Sequence, residues 1–386
     1  MLIENSKCNT CYLCVNICPK NCIEMKLNDI GEIHPVVDTE KCNGCNLCSS
    51  KCPEITPVDR YSVQNTYASV SKDTKQLLKS TSGGIASEIA KYIISHGGVV
   101  YATVMDGLTA HFERISNLDN IVHMTGSKYV HSWFGDNLKR IKNDLIGKQT
   151  VLVIGTPCQI AAVRAYLGKN YLNLFTVDLF CHGTPAQENF RCGIALETNE
   201  MDVENVRFRD GKEYKLMISK KDGTQLTVPY RKSYWFNGFV EGYLFRECCY
   251  SCSYAGDMRV GDISLGDFWG LGSAYRTDLD ITAGANAVLI NNNQGAKLFE
   301  YIRDNICIEE HTLEEVKKYN HPLNVPAKKP REYNRFKKLS KKYNNRIAIL
   351  FAYPQKSLYI FLRRLLSRVT FLYKILKRIP WISEKL

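Results

Sequence analysis

No run of eighteen uncharged apolar residues occurs in this 386-residue chain, which argues against a membrane-spanning helix. No apolar stretch of signal-peptide length precedes Cys8, so the expected setting is the cytoplasm, where thiols stay reduced instead of pairing as disulfides. Two nucleotide fingerprints are missing as well. No GxGxxG follows a strand-like run and no GxxxxGKS/T is present, which leaves neither an ordinary dinucleotide fold nor a P-loop. Acidic residues are scarce in one region only. Residues 328–386 hold 17 Lys or Arg against Glu332 and Glu384, while residues 1–327 carry a net −3 within a chain of +12. The excess charge therefore belongs to a C-terminal segment, and the nearly neutral body gives no sign of nucleic-acid binding.

What the sequence has in abundance is cysteine, 16 residues. Cys8, Cys11, Cys14 and Cys18 form a CxxCxxCxxxCP run, and Cys42, Cys45, Cys48 and Cys52 repeat it 34 positions later. Zinc is the rival reading, since CxxC pairs in reducing compartments often hold a structural ion. A zinc site wants two pairs of ligands, whereas each run here is a triple followed by a fourth cysteine and a proline. That spacing is the bacterial two-cluster ferredoxin pattern, in which the fourth cysteine of each run ligates the other cluster. The expected sets are Cys8, Cys11, Cys14 with Cys52, and Cys42, Cys45, Cys48 with Cys18. Cys22 is left over and reads as a small buried residue beside a cluster. "IEMKL" and "IHPVV" are expected as short strands between the runs.

From about residue 66 apolar runs alternate with amphipathic segments, the mark of an α/β region. "TYASVS" reads as a strand, "STSGG" as a loop opening the helix "IASEIAKYIISH", and "GGVVYATVM" as the next strand. A Ser/Thr/Gly loop at a helix start is suited to a phosphate, although a capped helix start needs no ligand. "TVLVIGTPCQIAAVRAYL" and "LNLFTVDLFCHGTP" place Cys158 and Cys181 just past strand C-termini, the edge where open α/β sheets bind ligands. Two Asp-Gly turns, in "RDGK" and "KDGT", suggest a β-hairpin insertion. Cys248, Cys249 and Cys252 follow, in "RECCYSCSYAGDMRVGDISLGDFWGLG". One CxxC supplies two ligands only, so a third metal site there needs Cys158 and Cys181.

These segments carry a resemblance. "STSGG", "GSKYV", "VLVIGTPCQIAAVRAYL", "VDLFCHGTP", "FRDG" and "CYSC" followed by "RVGDISLGDFWG" occur in the order seen in the beta-subunit family of coenzyme F-420 hydrogenases and dehydrogenases. Over roughly residues 1 to 320 the chain resembles a member with a ferredoxin module fused in front. The resemblance implies an iron-sulfur flavoprotein in which FAD mediates between a hydride partner and one-electron clusters. It implies a third 4Fe-4S cluster on Cys158, Cys181, Cys249 and Cys252. It implies an FAD-phosphate loop at Ser82, Gly83 and Gly84, and a flavin-lining segment at Ser127, Lys128 and Tyr129. His182, and less so His131, are candidates for protonating a substrate, because imidazole titrates near neutral pH.

The expected organisation is α+β and α/β: a two-cluster ferredoxin module over residues 1–60, a flavin-binding α/β region over 61–140, a C-terminal family region with hairpin and CxxC over 141–325, and a basic tail over 326–386. In that tail Leu358, Phe361, Leu362, Leu365, Leu366, Val369, Leu372, Tyr373 and Leu376 recur at helical spacing, with Arg363, Arg364, Lys374, Lys377 and Arg378 on the other face. Such a helix suits an anionic membrane surface, so the expected location is cytoplasmic with peripheral contact to the inner face of the membrane. A docked helix needs the same stripe. The expected activity is oxidoreduction of an organic substrate with a redox partner protein or reduced coenzyme, F-420-like or otherwise. The rival readings are a non-catalytic electron-transfer subunit, a cluster-based sensor or structural metal module, and a reductase of cell-envelope polysaccharide precursors.

Overall fold

The computed structural model describes residues 2–211 and 213–376, with side-chain surroundings up to residue 366. The two cysteine runs wind alike. Thr10 and Gly44 stand two places after the first cysteine of each run, Tyr12 and Asn46 four places after, and all four take left-handed backbone angles, with φ of 59°, 70°, 63° and 59°. Each run then enters a short helix, Leu13–Ile17 or Leu47–Ser50. The left-handed region costs a non-glycine residue roughly 1 kcal/mol, and here it recurs at matched positions of an internal repeat. Between the runs, β1 (Ile23–Leu27) and β2 (Ile33–Val37) pair antiparallel with Ile23 opposite Val37. Their turn is set by Asn28, whose side-chain oxygen accepts from the N–H groups of Ile30 and Glu32.

The large domain contributes β3 (Asn65–Ser71), β4 (Val99–Asp106), β5 (Thr109–Ile115), β6 (Val151–Gly155), β7 (Leu174–Leu179), β8 (Val203–Asp210), β9 (Glu213–Lys220), β10 (Gln225–Pro229), β11 (Ile263–Asp267), β12 (Asn286–Ile290) and β13 (Ile306–Glu310). Eight of these form one sheet in the order β13-β3-β12-β11-β7-β6-β4-β5. The central β4, β6, β7 and β11 are parallel, and the flanking pairs are antiparallel. "VLVIG" of β6 is buried throughout, as a strand covered on both faces must be. Helix Ile85–Ser95 packs Ile85, Ile89 and Ile93 on one face against Val100, Leu152 and Val177. Helix Pro157–Leu167 packs Ile160 and Val163 on the other, against Val151 and Val153, where Leu13 of the ferredoxin module joins the same core.

Two expectations need correction. The hairpin insertion is a three-stranded antiparallel sheet, β8-β9-β10, because both Asp-Gly turns are used in succession. The basic segment from residue 326 is no separate appendage at its start. Helices Arg331–Lys342 and Asn345–Phe351 bury Tyr333, Phe336, Ala348 and Ile349 in an aromatic core with Phe190, Trp235 and Phe245. Their lysines and arginines occupy the outer face, so charge counting alone hides the apolar one. Helix Pro354–Leu376 follows. Ile360 is buried, and Arg364 lies over the Tyr234 ring, pairs with Glu197 and donates to the Lys232 carbonyl at 2.7 Å. Arg364 is thus on the docked side. Leu358, Phe361, Leu362, Leu365 and Leu366 are exposed. The side chains of Val369, Leu372, Tyr373, Lys374 and Leu376 lie outside the described residues, as do Lys377 and Arg378 entirely. Among the described residues no helix is long and apolar enough to cross a membrane.

Candidate functional site

The spacing argument assigned Cys52 to the first three cysteines, and the fold brings them together. Cys8, Cys11, Cys14 and Cys52 line one small cavity of about 30 Å³, and Cys48 of the second set borders it as well. Burial pushes the Cys8 thiol up to about 11 and Cys14 up to about 12, and each of these thiols feels the charge of its neighbours in the set. Thiolates cost free energy in this enclosure unless a positive centre compensates them. In the second run Cys42 and Cys45 are exposed, while Cys18 is buried. The Cys18 Sγ lies 3.3 Å from that of Cys22. Despite the penalty of burial, hydrogen bonds from Cys22, Lys20 and Asn21 hold Cys18 below its ordinary value. Cys22 also interacts with Cys42, and it is buried, as expected of a small residue beside the second set. Among the described residues no three His, Cys, Asp or Glu side chains converge as they would on a single ion. The thiolates of a four-iron cubane each bind a different iron atom.

A larger cavity of about 280 Å³ opens where the C-terminal ends of β6 and β7 meet the ferredoxin module. Thr156 and Gln159 form a capping box with Pro157 in the first turn, which fixes Cys158 just beyond β6. Cys181 follows β7 by two residues, and Cys249 and Cys252 come from the turn Glu247–Ser251 and its end. All four cysteines line this cavity. Further along, the fully buried Arg259–Asp178 pair ties the segment before β11 to the end of β7, with Asp178 also accepting from the Val260 and Gly261 N–H groups. One backbone habit is shared with the ferredoxin runs. The N–H two residues ahead donates to the sulfur, from Thr10 to Cys8, Leu13 to Cys11, Gly183 to Cys181 and Tyr254 to Cys252. A hydrogen bond from Cys248 holds the Cys249 thiol below its ordinary value, against burial and with help from Arg246.

The module is seated by polar contacts at the cavity floor. Arg246 donates to the Asn9 carbonyl and the Thr10 hydroxyl at 2.8 and 2.9 Å, Ser253 donates to Glu54, and the Tyr254 hydroxyl reaches the Pro53 carbonyl. Buried Tyr254 feels the charge of both Cys158 and Cys11, one from each cysteine set. His182 sits at the cavity edge against Phe245 and near His321, and burial together with His321 holds its pKa below the ordinary value. His131 is buried, its Nε2 has no partner among the described residues, and burial holds it neutral, well below the usual histidine range.

The two segments expected to line a flavin also meet. The Thr81 hydroxyl is 3.0 Å from that of Ser127. Both segments are also held by contacts within the protein. The Ser82 hydroxyl donates to the Ala285 carbonyl. A Cβ on Gly83 would strike the Ser69 carbonyl oxygen and come within 2.7 Å of the Asn286 nitrogen, so that glycine is required by the strands it crosses. Gly84, at φ 80°, opens the helix, whose first N–H goes to the Asn286 side chain. Lys128 Nζ rests on the His123 and Thr125 carbonyls at 3.0 and 2.9 Å, and burial with the nearby Arg207 pushes its pKa down to about 7. Tyr129 stacks on Phe239 at 4.7 Å and edges onto Phe208.

Sequence reading missed three residues. Arg209 of "FRDG" and Asp267 of "GDFWG" form a 2.7 Å ion pair beside Tyr129 at the end of β11. Their motifs were visible but nothing in one sequence paired them. Arg246 opens the "RECCYSC" segment, but only the fold brings it against Asn9 and Thr10 of the ferredoxin module.

Comparison with known proteins follows this division. Residues 7–55 match the 4Fe-4S dicluster domain, and residues 148–316 match the C terminus of the coenzyme F420 hydrogenase/dehydrogenase beta subunit. Among curated proteins no match is found. A chain of the solved F420-reducing [NiFe] hydrogenase complex from Methanosarcina barkeri is similar at 19% identity and a TM-score of 0.46, covering 75% of this chain and 90% of that one. The chain is an iron-sulfur protein of the oxidoreductase type, joining a 4Fe-4S dicluster domain to the C-terminal region of the coenzyme F420 hydrogenase/dehydrogenase beta-subunit family.

Proposed function

We propose that this chain is an FAD-dependent iron-sulfur oxidoreductase that exchanges a hydride with an organic substrate and single electrons with a partner protein. The observation that carries the reading is the cavity in which Cys158, Cys181, Cys249 and Cys252, drawn from three separate segments, face the dicluster module. Those four thiols would hold a third 4Fe-4S cluster, and Thr81, Ser127 and Tyr129 border the place for FAD. Bound there, the clusters supply one-electron chemistry and the flavin converts it to hydride chemistry. The chain's own part is to position these groups. N–H donors meet the sulfurs of Cys8, Cys11, Cys181 and Cys252, the Thr156 hydroxyl meets Cys158, and buried Tyr254 borders both the Cys8 set and the cavity. His182 at the cavity edge, its pKa held below the ordinary value by burial and His321, stands where it can exchange a proton with a substrate.

Iron analysis of anaerobically purified protein tests the cavity assignment. About twelve irons per chain are expected, and Cys158→Ser should remove about four while the ferredoxin signals persist. About eight irons in the wild-type chain, with count and spectrum unchanged in the variant, would reject it. Turnover of a small substrate with an artificial donor separates an enzyme from an electron-transfer subunit. Either an F420-type reduced coenzyme or an oxidised envelope precursor fits hydride chemistry of this kind. The exposed Leu358, Phe361, Leu362, Leu365 and Leu366 of the last helix, in a segment carrying 17 basic residues, support peripheral attachment to an anionic bilayer.

A further inference from the structure

Arg246 is 4% exposed, and every acceptor it reaches is neutral. Nη1 donates to the Asn9 carbonyl and the Thr10 hydroxyl, while Nε and Nη2 share the Thr184 hydroxyl at 3.4 and 3.3 Å. Glu32 is the carboxylate whose charge it feels, and that group is engaged elsewhere. One Glu32 oxygen accepts the Glu247 N–H at 3.0 Å and the other lies 3.3 Å from His34. Glu54, also at the cavity, takes Asn9 Nδ2 and the Ser253 hydroxyl. A buried guanidinium without an anion is costly. What faces it is sulfur: Cys8 of the ferredoxin module on one side, Cys158, Cys248 and Cys249 on the other.

We propose that Arg246 is the shared counter-ion of the two inner cysteine sets, and that its fixed charge raises the reduction potentials of the clusters these sets hold. The inference rests on the cluster reading above. A cluster gains negative charge on reduction, so a cation held beside it favours the reduced form. Arg246 touches the loop carrying Cys8 and lines the four-cysteine cavity, so both inner potentials move together. Arg246 hydrogen-bonds to Asn9, Thr10 and Thr184 and to no residue of the loops carrying Cys18, Cys42, Cys45 and Cys48 among the described residues, so that outer set serves as the internal reference. Arginine suits this position because its planar fork spans Asn9, Thr10 and Thr184 at once while never losing its proton.

The test is a redox titration of the intact chain, followed by electron paramagnetic resonance, for wild type, Arg246→Gln and Arg246→Lys. The Gln protein should show both inner potentials displaced downward relative to the outer one, and the Lys protein a smaller displacement. Unchanged potentials with full iron content in the Gln protein would overturn the proposal. Should that variant lose iron, the Lys protein decides. Iron retained with near-normal potentials shows that charge is what matters, and iron lost there as well shows a purely structural clamp and overturns it. Failure of the cluster reading is separately visible as about eight irons per chain in wild type. The potential of the Cys8 set reports on Arg246 in that case too.

Discussion

His131 shows how one residue's surroundings decide its chemistry. From sequence it was a candidate acid; in the fold it is sealed from solvent beside the cationic Arg246, which keeps the ring neutral. The unfolded chain gains a proton there below about pH 6.5 while the native state does not. Stability therefore falls as pH drops through that value, by up to about 1.4 kcal/mol per pH unit for the one group. His131→Phe should flatten part of this slope between pH 7 and 5 in anaerobic urea titrations. An identical slope in the variant would assign the effect to other groups. Lys128 makes the same point in reverse. The resemblance implied a flavin-lining role for Lys128, and in the fold two carbonyl oxygens hold its amine.

At the level of elements, what was legible followed from periodicity and what was not followed from composition averaged over too long a window. β1, β2, β3 and β6 stand where alternating or continuous apolar runs put them, and the helix after "STSGG" begins at Ile85. The tail was misread because helices Arg331–Lys342 and Asn345–Phe351 carry a dense basic face outside and Tyr333, Phe336 and Ile349 inside. This fixes where a truncation can fall. Ending the chain after Pro330 removes Tyr333 and Phe336 from the aromatic core, at about 3–5 kcal/mol each by analogy with large-to-small substitutions, comparable to a whole domain's stability. That protein should be insoluble or stripped of cofactor. Ending it after Tyr353 sacrifices mainly Ile360 and the Arg364 contacts, and should leave iron content intact while abolishing sedimentation with anionic vesicles. Undiminished vesicle binding by the shorter chain would place the membrane contact elsewhere.

Across the whole molecule, the cysteine sets are graded by exposure, and the sequence held half of that order. Spacing alone joined Cys52 to Cys8, Cys11 and Cys14, because a fourth cysteine four residues past a triple reaches across the internal repeat in the two-cluster ferredoxin pattern. Spacing had no means of saying which set faces inward. That depends on Leu13 entering the core of the large sheet and on Arg246 gripping Asn9 and Thr10, contacts between residues more than a hundred positions apart. The outcome is an inner set with Cys8 buried and an outer set with Cys42 and Cys45 open to solvent. Exposure governs attack by oxygen and chelators, since either must reach the iron or its sulfur ligands. Iron release to a chelator should therefore be biphasic, with about four irons per chain leaving first and the signal of the outer cluster disappearing with them. Burying the outer loop beneath a bound redox partner should slow only that phase. Loss of all iron in one phase would mean that the module opens as a unit before any iron departs, and that its seating on the large domain, not local exposure, controls the stability of every set.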